Sequence, residues 1–284
     1  MRRNPNRDCN ETSAAMAASS ILFEFAKANK GTFDGECPFY CSYSGYNDEL
    51  LWAATWLYFA TRESAYLHYI EDNSISAKVA EFSWDLKYAG AQVLLSQTSF
   101  ETFKKQADSY ICSMLPHSPY HQVYISPGLC GLVHLRDGAN SQYVTSTAFL
   151  FSVYSDLSLN TTNVSLRQPT MDYLLGENPE KRSYMVGFGN NPPTQAHHRG
   201  ASVPNLSKYA LAQVSCPMSF VNWFNKNVPN ANELTGAIVG SPDRYDKFKD
   251  LRSESAMTEP TTYTNSLAVG VLAKLAATTR SANI

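Results

Sequence analysis

The segment from Asn47 to Arg62 is apolar almost all the way round a helix. Leu50, Ala53, Ala54, Leu57 and Ala60 mark one side, and Trp52, Trp56 and Phe59 mark the other. A helix with one apolar stripe covers a single face of a core, but a helix apolar on every side demands burial on two. The segment therefore calls for a layered helical architecture. Asn47 and Asp48 stand at its start as candidate caps.

The rest of the chain keeps the same helical period. Helices are expected over 11–30, 64–70, 83–96, 100–115, 141–157, 166–175 and 265–279. Ser83 is placed to cap the third of these, and Pro116 to follow the fourth. Gly176 and then Pro179 stop the 166–175 helix. Only Tyr184–Gly187 reads as a short strand, so the fold class expected is all-α. The stretch from Glu177 to Pro260 has little periodicity and is rich in Gly, Pro, Asn, His and Asp. Long loops on a helical scaffold are where function usually sits. With no heptads, low-complexity tract or linker, 1–284 reads as one domain.

Composition removes several function classes. The 284 residues carry 12% aromatics, 17% charged residues and a net charge of -2. A disordered chain would have fewer rings and more charge. A nucleic-acid binder would show a basic excess, so no nucleic-acid partner is expected. No apolar run approaches the roughly 20 residues a membrane helix needs, so no membrane segment is expected. Seventeen Tyr, 14 Phe and four Trp either build a large core or line a groove for sugar faces, and core packing is the plainer account.

The N-terminus opens with two arginines, but no apolar stretch of a secretion signal follows them. Sequons stand at Asn10, Asn160, Asn163 and Asn205. Of six cysteines only Cys37 and Cys41 are close together, which leaves a local disulfide and free thiols both open. No cysteine or histidine spacing fits zinc, so no metal ligand set is expected.

Two constellations carry chemistry. The first runs from Ser183 to Gly200 and ends Ala196-His197-His198-Arg199, presenting two histidines and an arginine after a Gly- and Pro-shaped loop. Such groups donate well to hydroxyls and carboxylates. The plainer account is a loop in which one histidine caps a helix. The second runs from Gly240 to Asn265 and holds Asp243, Asp246, Asp250, Glu254 and Glu259 with rings between them. Carboxylates around one cleft are the tools of glycoside hydrolysis. The plainer account is a solvated acidic loop.

Together the two stretches resemble the paired active-site signatures of glycoside hydrolase family 9, the plant- and animal-type endoglucanases. The first fits from Ser183 through Met185, Val186, Gly189 and Asn191 to His197 and Arg199, departing at Ala196. The second fits from Phe248 through Asp250, Glu259 and Thr261 to Asn265 and Ser266, departing at Ser255. The segments Tyr46–Trp56, Phe82–Asp85, Gln142–Thr147, Asp172–Pro179 and Leu234–Gly240 are similar to plant members, so the likeness covers the chain from about Glu11 onward.

The resemblance implies an (α/α)6 barrel whose loops form a groove for a β-1,4-glucan, the expected partner. It implies an inverting endo-β-1,4-glucanase, in which an acid and a base stand about 6.5–9.5 Å apart with water between. By position Glu259 is the general acid. Asp250 holds substrate hydroxyls or neighbouring groups. His197 and Arg199 bind sugar hydroxyls. Trp52, Trp56, Phe188 and Tyr263 are candidates for stacking on sugar, with core packing the equal alternative for each. No cofactor is expected; the acidic loop is compatible with calcium without defining a ligand set. Secretion is implied by the family.

One part of the family pattern is missing. The family's base lies in an Asp-Ala-Gly-Asp motif, and no Asp-x-x-Asp occurs in the first half of this chain. Ile21-Leu-Phe also runs almost directly into Glu24-Phe-Ala-Lys-Ala, where members usually place a further helix. The expectation is an incomplete barrel, similar to the C-terminal part of a catalytic domain, with impaired hydrolysis. The alternative is a noncatalytic glucan-binding remnant.

Overall fold

The periodic segments are helices in the computed structural model, which describes residues 18–33, 41–73, 79–98, 101–115, 124–125, 132–157, 167–205 and 214–281. The chain divides into two compact units, Met1–Tyr110 and Ile111–Ile284.

In the first unit, α3 (Ser64–Asn73) and α4 (Tyr88–Leu95) pack on α2 (Asn47–Thr61), and α1 (18–28) and the start of α5 (Glu101–Met114) share its core. The core joins Phe23, Leu50, Leu51, Ala54, Leu57, Tyr66, Ile70, Ala91, Leu95 and Phe103. Phe23 meets Tyr66 and Tyr69 edge-on at centroid distances of 5.6 and 5.2 Å, a geometry aromatic quadrupoles favour. On α5, Phe103, Ala107, Tyr110, Ile111 and Met114 are buried at helical spacing.

Burial of α2 on two sides is met on one side only. Leu50, Leu51, Ala54 and Leu57 are buried, whereas Trp56 is 50% exposed and Trp52 and Phe59 are half-buried. Trp52 packs on Trp56, on Phe82 and over Gly90, where an added Cβ would come within 2.8 Å of the indole. Asn47 and Asp48 do not cap α2, which starts behind Tyr46 with no side-chain cap. Asp48 is fully buried instead. It accepts from the Ser44 hydroxyl at 3.0 Å and from the Lys87 N–H at 2.7 Å, so it satisfies the entrance to α4 rather than its own helix. Ser83 likewise closes a turn, accepting from the N–H groups of Asp85 and Leu86, and α4 begins only at Tyr88.

In the second unit, α6 (Ser141–Leu157) packs against α7 (Arg167–Leu175) and α11 (Thr262–Ser281). Eleven of the 17 residues of α6 are buried. Its Ser146 and Thr145 return their hydroxyls to backbone carbonyls of the preceding turn, which lets small polar side chains sit inside. Gly270 of α11 leaves room for Phe149 of α6; a Cβ there would lie 2.9 Å from the ring. Val144, Ala148, Met171, Tyr173, Leu174, Ala268 and Val271 form the core with Tyr184, Val186, Ile238 and Val239 from the loops.

The strand expected at 184–187 is reduced to one bridge, Met185 to Ile238, extended by backbone bonds from Val186 N to Ala237 O and from Val239 N to Tyr184 O. A two-residue antiparallel pair, β1 (Tyr124–Ile125) with β2 (Val133–His134), was not expected. Beyond the long helices lie only short turns: α8 (Arg199–Ser202), α9 (Cys216–Ser219), a π-helical turn π1 (Phe220–Phe224) and α10 (Ser255–Thr258). Cys41 is disulfide-bonded, while Cys112 and Cys216 are free. Among the described residues no helix is long and apolar enough to cross a membrane.

Glu49, in the first turn of α2, carries a pH signature. Burial pushes its carboxyl up, the adjacent Asp48 carboxylate adds to this, and Lys87 Nζ at 3.2 Å opposes both without cancelling them; the result is about 7. The folded state therefore holds this proton more tightly than the unfolded chain. That stabilisation is complete below the ordinary value of 4.5 and fades as pH rises to about 7. Urea midpoints should fall across that window, and Glu49→Gln should flatten the fall. An unchanged slope in the variant would assign it to other groups.

Candidate active site

The loops at 177–205 and 223–261 lack regular ladders, so side chains must satisfy their backbone groups. Helix α7 ends at Gly176, whose φ of 127° is open to glycine, and Asn178 bonds the carbonyls of Tyr173 and Arg182 at 2.7 and 2.6 Å. Past this turn, Tyr184 is buried between Tyr173 and Phe248, and burial pushes its phenol well above the ordinary value.

The two signature stretches meet along a hydrogen-bonded seam. Asp250 Oδ2 accepts from Thr194 N and Thr194 Oγ1, both at 2.8 Å, and Oδ1 accepts from Gln195 N at 3.0 Å. Gln195 Nε2 returns a bond to the Asp250 carbonyl at 2.9 Å. His197 N then donates to Thr258 O at 2.9 Å, one residue before Glu259. The His197 ring bonds the Arg252 carbonyl through Nδ1 at 2.6 Å and meets Phe224 edge-on. Each bond fixes the position of the 194–197 segment against 250–258.

His197 and His198 have different tasks. His198 is the N-cap of α8, its Nδ1 accepting from Ala201 N at 2.9 Å. His197 stays half-buried on the seam. Arg199 begins α8 and is exposed; its guanidinium lies 5.2 Å from the Phe220 ring and 3.5 Å from Cys216 Sγ.

Glu259 follows α10 and is half-buried. Among the described residues its carboxyl takes no hydrogen bond. Its backbone is held from both sides. Thr258, fully buried, donates to Leu251 O at 3.1 Å and Glu254 O at 3.0 Å, and Thr261 caps α11 by accepting from Thr264 N at 3.1 Å. Gly240 passes so close to Ala256 that an added Cβ would lie 2.3 Å from its carbonyl oxygen. Asn265, the asparagine of the second signature, donates to Gly236 O and accepts from Ile238 N, so it stitches the loop instead of facing a ligand.

The structure thus joins His197, Asp250 and the Glu259 segment, with Arg199 two residues past His197. Phe188 is 47% exposed between two left-handed glycines, and Tyr263 is half-buried in the first turn of α11. Trp52 and Trp56 belong to the first unit, where Trp52 packs in the core. Sequence reasoning did not single out Arg252. It is 2% exposed and donates from Nε to Asn230 Oδ1 at 2.6 Å, from Nη1 to Phe224 O and Lys226 O at 2.7 and 2.9 Å, and from Nη2 to Val228 O at 2.8 Å. Burial lowers its guanidinium below the ordinary value and Asp250 partly restores it. Its one sequence signal is its place two residues beyond Asp250.

Comparison with known proteins places the chain in a family. The sequence model of Glycosyl hydrolase family 9 matches residues 6–272. The chain is 59% identical to Endoglucanase 16 of Arabidopsis thaliana over 306 aligned positions, covering 94% of this chain and 62% of that protein. It is 54% identical to Endoglucanase 8 of Oryza sativa subsp. japonica, with 94% and 60% covered. The chain thus spans about three fifths of the length of these curated relatives. Ninety-four per cent of the chain is about 267 residues, so about 39 of the 306 aligned positions face a gap in this chain.

Among solved structures, endoglucanase CelQ from Clostridium thermocellum, complexed with cellobiose and cellotriose, is similar at a TM-score of 0.79 and 32% identity, covering 91% of this chain and 43% of that one. The endoglucanase of the termite Nasutitermes takasagoensis is similar at 0.72 and 32% identity, with 84% and 52% covered. These likenesses agree with the all-α, (α/α)6-barrel class expected from the sequence.

The seam predicts a stability effect. Asp250→Ala strips the acceptor from two backbone N–H groups, one exposed and one part-buried, and should cost about 1–3 kcal/mol, the range for hydrogen bonds to a charged group. Hydrogen exchange at Thr194 and Gln195 should accelerate together with the loss seen in urea unfolding. Retained protection at both amides would mean that other groups hold the segment.

Proposed function

The chain belongs to glycosyl hydrolase family 9, and from that premise we propose that its second unit carries the acid side of an inverting endo-β-1,4-glucanase site. The reading rests on the contrast between the two signature acids. Both oxygens of Asp250 are occupied by the 194–195 backbone and the Thr194 hydroxyl. The Glu259 carboxyl is unpaired among the described residues and sits beside the backbone that anchors His197. Asp250 is accordingly the organiser of the site, and Glu259 the acid that protonates the glycosidic oxygen as the bond breaks. His197 and Arg199 bind sugar hydroxyls, and Phe188 and Tyr263 offer rings for stacking. A β-1,4-glucan is the substrate of this reading, supported by the cello-oligosaccharides in the CelQ complex. The disulfide at Cys41 supports an oxidising, extracellular setting.

Inversion also needs a carboxylate that activates water on the far side of the sugar ring. The family motif for that base is not found in this chain. Base assistance is worth about 10²–10⁴ in rate, so these 284 residues on their own are expected to bind glucan and hydrolyse it slowly. For these 284 residues taken alone, the same missing motif supports a second reading, glucan binding with no turnover.

Cellotetraose titrations and reducing-sugar release from carboxymethylcellulose test both. We expect measurable binding, turnover at least about a hundredfold below a full-length relative, and loss of the residual turnover in Glu259→Gln with binding kept. Turnover unaffected by Glu259→Gln would remove the acid assignment. Binding with no turnover above background in the wild type would establish the second reading.

A further inference from the structure

We propose that Arg252 is the positioning residue of His197, and that it acts by fixing which imidazole nitrogen carries the proton. The inference rests on His197 being a sugar-binding group, as read above. A carbonyl oxygen only accepts, so the 2.6 Å contact between His197 Nδ1 and Arg252 O places the ring proton on Nδ1. Nε2 of the neutral ring is then bare. It presents a lone pair, and the matching ligand group is a donating hydroxyl.

That tautomer is only as secure as the Arg252 carbonyl. Backbone in this stretch has no strand or long helix to hold it, and the side chain of the same residue does so instead. Its guanidinium reaches three carbonyls within 224–228 and the Asn230 side chain, and lies 5.8 Å from the Phe224 ring. Phe224 is the ring against which His197 rests. Asn230 continues the chain of contacts, donating from Nδ2 to Ala196 O at 3.0 Å and from N to Thr194 O at 2.8 Å. Arg252 therefore touches His197 through its own carbonyl, fixes the ring that backs His197, and fixes the backbone on the N-terminal side of His197 through Asn230. A planar fork is required for this; a lysine ammonium reaches one or two of these acceptors and cannot span them.

The test is the long-range 1H–15N spectrum of the full chain at alkaline pH, with the His197 signal assigned by its loss in His197→Ala, read beside cellotetraose titrations. We expect a wild-type His197 with its proton on Nδ1. Arg252→Lys keeps the charge without the fork, and Asn230→Ala removes the Nε partner. Each should give mixed tautomers and about a three- to tenfold loss of affinity, the size of one hydrogen bond. Neither should lose more affinity when combined with His197→Ala, since residues acting through one group are not additive.

A wild-type proton on Nε2 overturns the proposal. So does a folded variant that keeps both the Nδ1–H tautomer and wild-type affinity, because a merely structural arginine would leave these unmoved. If Arg252→Lys does not fold, Asn230→Ala gives the same reading. If the wild type does not bind cellotetraose, the functional reading fails, while the tautomers of wild type and variants still decide the role of Arg252.

Discussion

The loops of the second unit depend on one buried cation. Arg252 is surrounded by carbonyls and an amide, with Asp250 as its nearby compensating charge. A buried charge without partners is expensive, so the surrounding chain must bring polar groups to it. Here those groups are the backbone carbonyls of residues 224, 226 and 228, which the loop turns toward the guanidinium. The arginine and the irregular loop solve each other's problem, and the position of His197 follows from the solution.

The same logic explains the composition of 177–260. A chain that runs without ladders still has to satisfy an N–H and a C=O at each residue. Asn178, Gln195, Asn230, Asn232 and Asn265 each bond backbone groups that are distant in sequence or at the edge of a turn. The loop is rich in amides because amides both donate and accept. Gly187, Gly189 and Gly236 supply left-handed turns, and Gly240 supplies the close approach to Ala256 that brings the second signature to the start of α6, where Ser141 N bonds Gly240 O.

The helices were legible because hydrophobic period reports burial directly. α2, α5, α6 and α7 fall within a few residues of their expected spans. Starts were less legible, because a capping side chain has several acceptors within reach. Asp48 turned to the N–H of Lys87, and Ser83 to its own turn. The four-residue helices and π1 leave no periodic trace at that length. The signatures identified His197, Asp250 and Glu259 as residues that belong together, but a spacing pattern does not say which carboxylate is spent on backbone. Arg252 escaped notice for a related reason. An arginine in a charged loop reads as solvated until its carbonyl partners, 24 to 28 residues away, are seen around it.

That division between the two acids is the main chemical content of the seam. Asp250 and Glu259 stand nine positions apart in one signature, yet their surroundings differ: one carboxylate is bonded to backbone and, among the described residues, the other is not. A carboxylate that accepts several hydrogen bonds is held in one orientation, which suits it to organise. A carboxyl with no fixed partner keeps its oxygens for an incoming ligand. Glu259 gains its position from its backbone, between the Thr258 carbonyl that takes His197 N–H and the Thr261 cap of α11. Holding an acid by its main chain leaves the side chain uncommitted, and a group that must give up a proton to a bridging oxygen needs that freedom. On the proposed reading Asp250 builds the site and Glu259 acts in it; the seam keeps His197 in register with the backbone of 250–258.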